Sequence, residues 1–301
     1  MTHLAALTGV MGISFAAIFV RLADVAPATA TFFRSLYALP LVLVVLYVGR
    51  RRSGWHRGWA FVSGLLLAMD LTIWHVSIDL IGAGLATVLA NVQVVWVGLL
   101  AWVIHRERPT GIAFATVPVV LIGVALISGL GRNDAYGDEP MRGALVGLAA
   151  GFVYSLFLLT FRHANREHAP TAGPLLDATA GATVGGLIAA LFDPGFSGAV
   201  TWPAHGWLLA LAVVAQTVGW LLIAVALPRL AALETSVMLL LQPAATIVWA
   251  SIIFSESLSP LQWTGAVVVL GGVLVAGLRG TVRPDASGAP LMPIRGRNLR
   301  Q

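Results

Sequence analysis

Five stretches of the chain run for more than twenty residues without a charged side chain: Leu80–Ile104, Pro109–Gly131, Gly206–Pro228, Thr235–Ser255 and Ser257–Leu278. About 20 apolar residues wound as a helix cross the hydrocarbon core of a bilayer, so each stretch is long enough to span. In hydrocarbon every backbone polar group must find its partner inside the protein, which leaves helices and closed barrels as the only spanning structures. Unbroken apolar runs of this length are read as helices. Composition agrees: of 301 residues 58% are hydrophobic and 10% charged, against roughly 25% charged in soluble domains. So little charge cannot supply a polar face for so many helices in water.

Ten spans follow from the pattern, at about 4–21, 27–48, 58–78, 83–104, 111–130, 141–161, 171–192, 206–227, 231–254 and 258–278. All 18 basic residues are Arg. With the N-terminus in the cytoplasm, 14 of them fall on inner segments, three (Arg21, Arg132 and Arg142) on outer ones, and Arg34 within a span. The positive-inside rule therefore predicts that both termini are cytoplasmic. The acidic loop 131–140, with Asp134, Asp138 and Glu139, is then outside. This placement accounts for the basic pI of about 10.6, so no nucleic-acid partner is expected. Met1, Thr2 and His3 lead straight into a span, and no cleavable signal is expected. The tail 280–301, rich in Gly, Pro and Arg, is expected to be disordered.

The chain also echoes itself. Shifted by 149 positions, Leu85–Ile127 lies on Glu234–Ala276 without a gap, with Gln93 on Gln242 and Glu107 on Glu256. Apolar matches are common in such a chain, but matched Gln and Glu are not. A repeat of five spans is odd in number, so the second copy starts from the opposite side and is inverted, as in many secondary transporters. The expected fold is an all-α membrane protein of ten transmembrane helices in two inverted five-helix repeats around a central cavity. Residues 1–130 form the first repeat, 131–140 the outer linker, 141–279 the second repeat and 280–301 the cytoplasmic tail.

Polar groups within spans are costly and usually face a cavity or a partner. Asp70 shares a face of the third span with Trp74, and reads either as a cavity carboxylate or as the partner of Arg34, which is assigned a structural, pairing role. His75 forms a second polar stripe with Thr72 and Asp79; it reads as a protonation switch or as an interhelical hydrogen bond. Asn91 is expected to line the cavity and Gln93 to pack. In the ninth span Met238, Gln242 and Trp249 fall near one face, and Pro243 frees the carbonyl of Leu239. A freed carbonyl in a membrane needs a partner or a cavity, so Gln242 and Pro243 are the best single pointer to a site. Trp74, Trp96, Tyr154 and Trp220 fall mid-span, with Gln216 on the face of Trp220; they read as a substrate wall or as packing. The candidate substrate-binding set is therefore Asp70, Trp74, His75, Asn91, Trp96, Tyr154, Gln216, Trp220, Met238, Gln242, Pro243 and Trp249. Glu107 and Glu256 lie in short turns, where carboxylates accept amide hydrogen bonds at the start of the next helix. No Cys, HExxH, GxSxG or metal-ligand spacing occurs, so no enzyme, metal or cofactor is expected.

The stretch Leu230–Val275, with Gln242-Pro243 in mid-helix, Glu256 in a turn, Trp263 and the region Gly265 to Gly272, resembles the last helix pair of EamA-type proteins in the drug/metabolite transporter superfamily. Leu85–Val124, with Arg106-Glu107-Arg108 in its turn, resembles the same unit in the first repeat, and Phe33-Arg34 the family's second helix. The overall pattern is most similar to YddG-type amino-acid exporters. Val94 departs from it by replacing the Pro expected beside Gln93, so the first repeat is expected to lack the kink of the second. The resemblance implies that helices 1–4 and 6–9 surround the cavity while 5 and 10 lie peripherally. It also implies export of amino acids, aromatic or neutral, or of related metabolites, by alternating access across a bacterial inner membrane. The expected partners are a small-molecule substrate and lipid, with a monomeric or weakly dimeric protein. Drug or proton-coupled metabolite efflux is the alternative.

Overall fold

The computed structural model describes residues 2–49, 56–105, 111–128, 135–164, 172–226 and 232–279. They form helices α1 (Thr2–Ser14), α2 (Ala16–Ala23), α3 (Pro27–Gly49), α4 (Arg57–Ala90), α5 (Gln93–His105), α6 (Gly111–Ile127), α7 (Pro140–Ala164), α8 (Ala172–Ala190), α9 (Ala204–Ala210), α10 (Trp220–Ala226), α11 (Ala232–Phe254) and α12 (Pro260–Arg279), with a π-helical segment, Leu211–Gly219, between α9 and α10. Five helical stretches are long and apolar enough to cross a bilayer: Thr2–Ala23, Pro27–Val48, Arg57–Ala90, Pro140–Ala164 and Ala204–Ile223. Shorter apolar helices include Ala115–Ile127, Met238–Phe254 and Pro260–Ala276. The proposed tail and Glu107 lie outside the described residues.

The structure differs from the expected spans in three ways. The first span is broken at Phe15, and there Thr246 of α11 reaches the Ser14 carbonyl at 2.9 Å. Trp249 donates its indole N–H to Ser14 Oγ at 3.1 Å and stacks on Phe15. The third and fourth spans meet at Gly82, whose φ of 83° and ψ of 165° are non-helical. Ser77 and Leu89 both lie about 3 Å from one point on α7, the position of a Cβ on Gly147. A straight helix would separate them by about 18 Å, so the chain folds back at Gly82, where only glycine adopts such torsions without strain.

The third difference is a correction. The expected kink belongs to the ninth span, yet α11 is continuous through Pro243. The fourth span, which has Val94 instead of proline, is the one that breaks, between α4 and α5 at Asn91–Val92. There the amides of Asn91, Val92, Val94 and Val95 bond three residues back, at 2.9–3.3 Å.

The second half of α4 packs on α7, and the first half on α8. At Gly64 and Gly181 the α4 and α8 backbones touch; a Cβ on Gly64 would sit 1.9 Å from the Ala178 carbonyl oxygen. This contact holds α8 against α4 with no room for a cavity between them. Helices α6 and α12 pair in the same close manner through Gly123 and Gly265.

Candidate functional site

A cavity of about 400 Å³ lies where helices of both repeats converge. Its wall takes Ile13 and Ala16 from the first span, Arg34 from α3, Leu67, Asp70, Leu71, Trp74, Thr87 and Ala90 from α4, and Gln93 and Val94 from α5, with Asn91 at the junction. The second repeat adds Tyr154 and Leu158 of α7, Gln216 of the π segment, Trp220 and Ile223 of α10, Leu239, Leu240 and Gln242 of α11, and Val273 and Leu274 of α12. The wall is mainly apolar, with its charge confined to Arg34 and Asp70. Helix α8 contributes none of it and α12 does, which corrects the expected ring of helices 1–4 and 6–9. The reason is the Gly64–Gly181 contact, which seats α8 on α4 outside the cavity.

Arg34 and Asp70 are buried. Arg34 Nη2 donates to Gln216 Oε1 at 2.8 Å. Its Nε and Nη1 are buried without a hydrogen-bond partner. Among the described residues no hydrogen bond or ion pair joins Asp70 to Arg34, although the two lie close enough to attract each other electrostatically. The π segment places Gln216 here. In the wider π turn Thr217 Oγ1 donates to the Ala212 carbonyl five residues back, at 2.8 Å. π-helical geometry is rare and, where it interrupts an α-helix, is frequently found at functional sites.

At the end of the bundle that carries residues 135–139, here the linker end, the helices are tied together. Glu256 is buried and accepts the amides of Ala83 at 2.8 Å and Gly84 at 3.2 Å, at the start of the helical turn after Gly82. It also pairs with Arg21. Arg21 lies over the Phe254 ring at 4.4 Å and donates to Tyr136 Oη at 3.3 Å. Gln262 holds the Tyr136 backbone from both sides: its Oε1 accepts the Tyr136 amide at 2.8 Å and its Nε2 donates to the Tyr136 carbonyl at 2.9 Å. Glu256 therefore caps a helix of the other repeat instead of the helix that follows it. A second, polar cavity of about 740 Å³ opens beyond this knot, lined among others by Asp24, Asp79 and Asp138. In the part of α4 before Gly82, Trp74 is the last residue on the central cavity and Ile78 the first on the linker-end cavity, about 6 Å of helix rise apart. At the opposite end Arg57 grips Asp177 with two hydrogen bonds of 3.0 and 3.1 Å.

The model of the EamA-like transporter family matches this sequence twice, over residues 1–129 and 141–278. The chain belongs to the EamA-like transporter family. The threonine/homoserine exporter RhtA of Escherichia coli (strain K12) is 26% identical over 218 residues, 70% of this chain and 66% of the exporter. The chain thus matches just under two thirds of that relative's length. The exporter of the same name in Salmonella typhimurium (strain SL1344) is 27% identical over 227 residues, 73% of this chain and 69% of its own length. A protein of known crystal structure shares the fold, with a TM-score of 0.61 and 16% identity over 93% of this chain and 98% of that one. Membership places the chain in a family of transporters and accounts for its two-repeat, helical fold.

Within this EamA fold, Asp70, Trp74, Asn91, Tyr154, Gln216, Trp220 and Gln242 come together around the central cavity. Five of the candidate residues sit elsewhere. His75 lies against α3, its Nδ1 within 3.3 Å of Thr31 Oγ1 and 3.2 Å of the Pro27 carbonyl. Trp96 packs edge-on against Phe152. Met238 packs beside Val10, Ile13 and Ile223. Trp249 is taken up by the break at Ser14, and Pro243 is buried and does not line the cavity. Two wall residues were given other roles by sequence: Arg34, assigned to pairing, and Gln93, assigned to packing. Gln93 Oε1 is buried without a partner. An arginine in mid-span with no acidic neighbour on its own helix was the available signal for the first.

Proposed function

We propose that this protein exports neutral amino acids or closely related metabolites by alternating access through the central cavity. The single observation that carries the reading is the cavity itself: a mainly apolar chamber with one cation and one anion in its wall, with the Glu256 knot on its linker side. Relatives named as threonine/homoserine exporters, 26% and 27% identical, support the amino-acid class. The charge of the segments supports an inner-membrane protein with cytoplasmic termini and the linker outside. In that orientation the Glu256 knot lies between the central cavity and the outside. Opening it requires Glu256 to leave the amides of Ala83 and Gly84, and a monomer or a weak dimer suffices because the cavity is built from one chain.

Reconstituted protein in proteoliposomes should exchange labelled threonine, homoserine or a larger neutral amino acid saturably, with unlabelled substrate inside accelerating uptake. Absence of counterflow with every amino acid of a broad panel would remove the amino-acid reading. A single cysteine replacing Ala135 in this cysteine-free chain should react with an impermeant maleimide in intact cells. Labelling only after permeabilisation would invert the orientation.

A further inference from the structure

We infer that the central cavity holds the zwitterionic head of its substrate between Arg34 and Asp70, with Gln216 as the positioning residue that presents Arg34. The inference rests on the amino-acid reading above and deepens it.

A buried arginine normally has its donors satisfied, because an unpaired buried N–H of a charged group is expensive to leave unmade. In a membrane, ionisable groups almost always pair with each other or with carbonyls. Here the opposite charge is in the same cavity and the fold does not join the two. Instead Gln216, buried in the π segment, takes Nη2 of Arg34 at 2.8 Å. Nε and Nη1 are left without partners, and the Asp70 carboxylate, on the cavity wall, has no hydrogen bond or ion pair among the described residues.

An α-amino acid supplies what is missing: a carboxylate for the free arginine donors and, on the neighbouring atom, an ammonium for Asp70. Charge-assisted hydrogen bonds of this kind are about twice as strong as neutral ones. The ligand adds no net charge to the cavity, so loading it does not add an unbalanced charge to a low-dielectric site. The rest of the wall near these charges, with Leu67, Leu71, Trp74 and Trp220, is apolar or amphipathic and receives an uncharged side chain. An amine without a carboxylate leaves Arg34 unpaired; an acid without an ammonium leaves Asp70 unpaired. Both are therefore rejected, since a site built to pair a group discriminates strongly against analogues that lack it.

The test is competition for labelled threonine counterflow in proteoliposomes, with L-threonine, L-threoninamide and N-acetyl-L-threonine as competitors. Wild-type protein should be blocked by threonine, while the amide and the N-acetyl compound should each be at least about tenfold weaker, as expected when a charge-assisted bond is lost. Arg34→Gln should raise KM by about tenfold or more and abolish the discrimination against threoninamide. Asp70→Asn should abolish the discrimination against N-acetylthreonine only. Gln216→Leu should raise KM a few-fold and weaken the threoninamide discrimination with little change in the maximal rate, a split that a merely structural role would not give. Competition by both analogues as strong as by threonine in the wild-type protein overturns the inference even if no variant can be purified. So does an Arg34→Gln protein that transports with unchanged KM and selectivity. Failure of the wild-type protein to carry any amino acid removes the parent reading as well, and is thereby told apart from failure of the dyad.

Discussion

The junction of α4 and α5 and its repeat counterpart in α11 are the same sequence unit in opposite conformations. Gln93 corresponds to Gln242, and Val94 to Pro243. The copy with proline is an unbroken helix; the copy without it breaks. In α11 the helix runs on through Pro243 although its ring offers the Leu239 carbonyl no amide, and the single Thr246 hydroxyl proton is shared between the Ser14 carbonyl at 2.9 Å and the Gln242 carbonyl at 3.0 Å. At Asn91 the side chain turns back and donates to the Thr87 carbonyl at 2.8 Å, the kind of side-chain competition that disturbs helical bonding. Gly151 of α7 faces the break, and a Cβ there would lie 3.2–3.3 Å from the carbonyl oxygens of Ala90 and Leu89 and the Gln93 amide. A neighbouring helix therefore selects the break. The lesson is that a proline marks where a helical hydrogen bond is absent, and packing decides where the helix actually opens.

The largest effect that separates the two copies should come from moving proline. Ile247→Pro, in the buried interior of α11, should cost about 3 kcal/mol or more, the usual loss for proline inside a helix. Val94→Pro should cost far less, because Val94 lies in the first turn of α5, where proline is better tolerated, and its amide makes only a long 3.3 Å bond to Asn91. Thermal midpoints of the purified proteins in detergent would show this; equal losses at the two sites would dissolve the comparison.

Next in size is Gly151→Leu. A leucine must push α7 off the broken turn, and overpacking of a close contact costs typically about 1–3 kcal/mol. A lowered midpoint together with a reduced counterflow rate is expected, and an unchanged midpoint would mean that α7 does not hold the break open.

Asn91→Leu should be milder, about 1 kcal/mol for one lost hydrogen bond, with the effect seen mainly as a raised KM because Asn91 lines the cavity. The smallest change in stability is expected for Pro243→Ala. It restores one donor for the Leu239 carbonyl, and slower transport by a fully extractable protein would show that the site uses the freed carbonyl. Wild-type transport kinetics would show that it does not.

Legibility followed the range of the interactions. Asp70 and Trp74, or Gln216 and Trp220, are four residues apart on one helix, and that spacing alone places them on a shared face. The gathering of such faces around a cavity depends on helix order and crossing, which the repeat suggested only in outline. Trp249 shows the limit. Its position on the face of Gln242 was legible, but its partner is Ser14, 235 residues away, at a break that no proline announces. Glu256 is similar: its turn position was visible, and the amides it caps belong to the other repeat.

The sequence by itself determined that this chain is a bundle of spanning helices in two matched halves. Unbroken apolar runs of about 20 residues satisfy their backbone in hydrocarbon as helices, and a matched Gln and Glu at constant offset record a duplication. Only the tertiary structure decided which helix opens, which helix stays out of the cavity, and that Arg34 is held by Gln216 rather than by Asp70. Those outcomes depend on contacts of a few ångströms between residues far apart in the chain, made at Gly64, Gly151 and the π turn, and local periodicity carries no record of them.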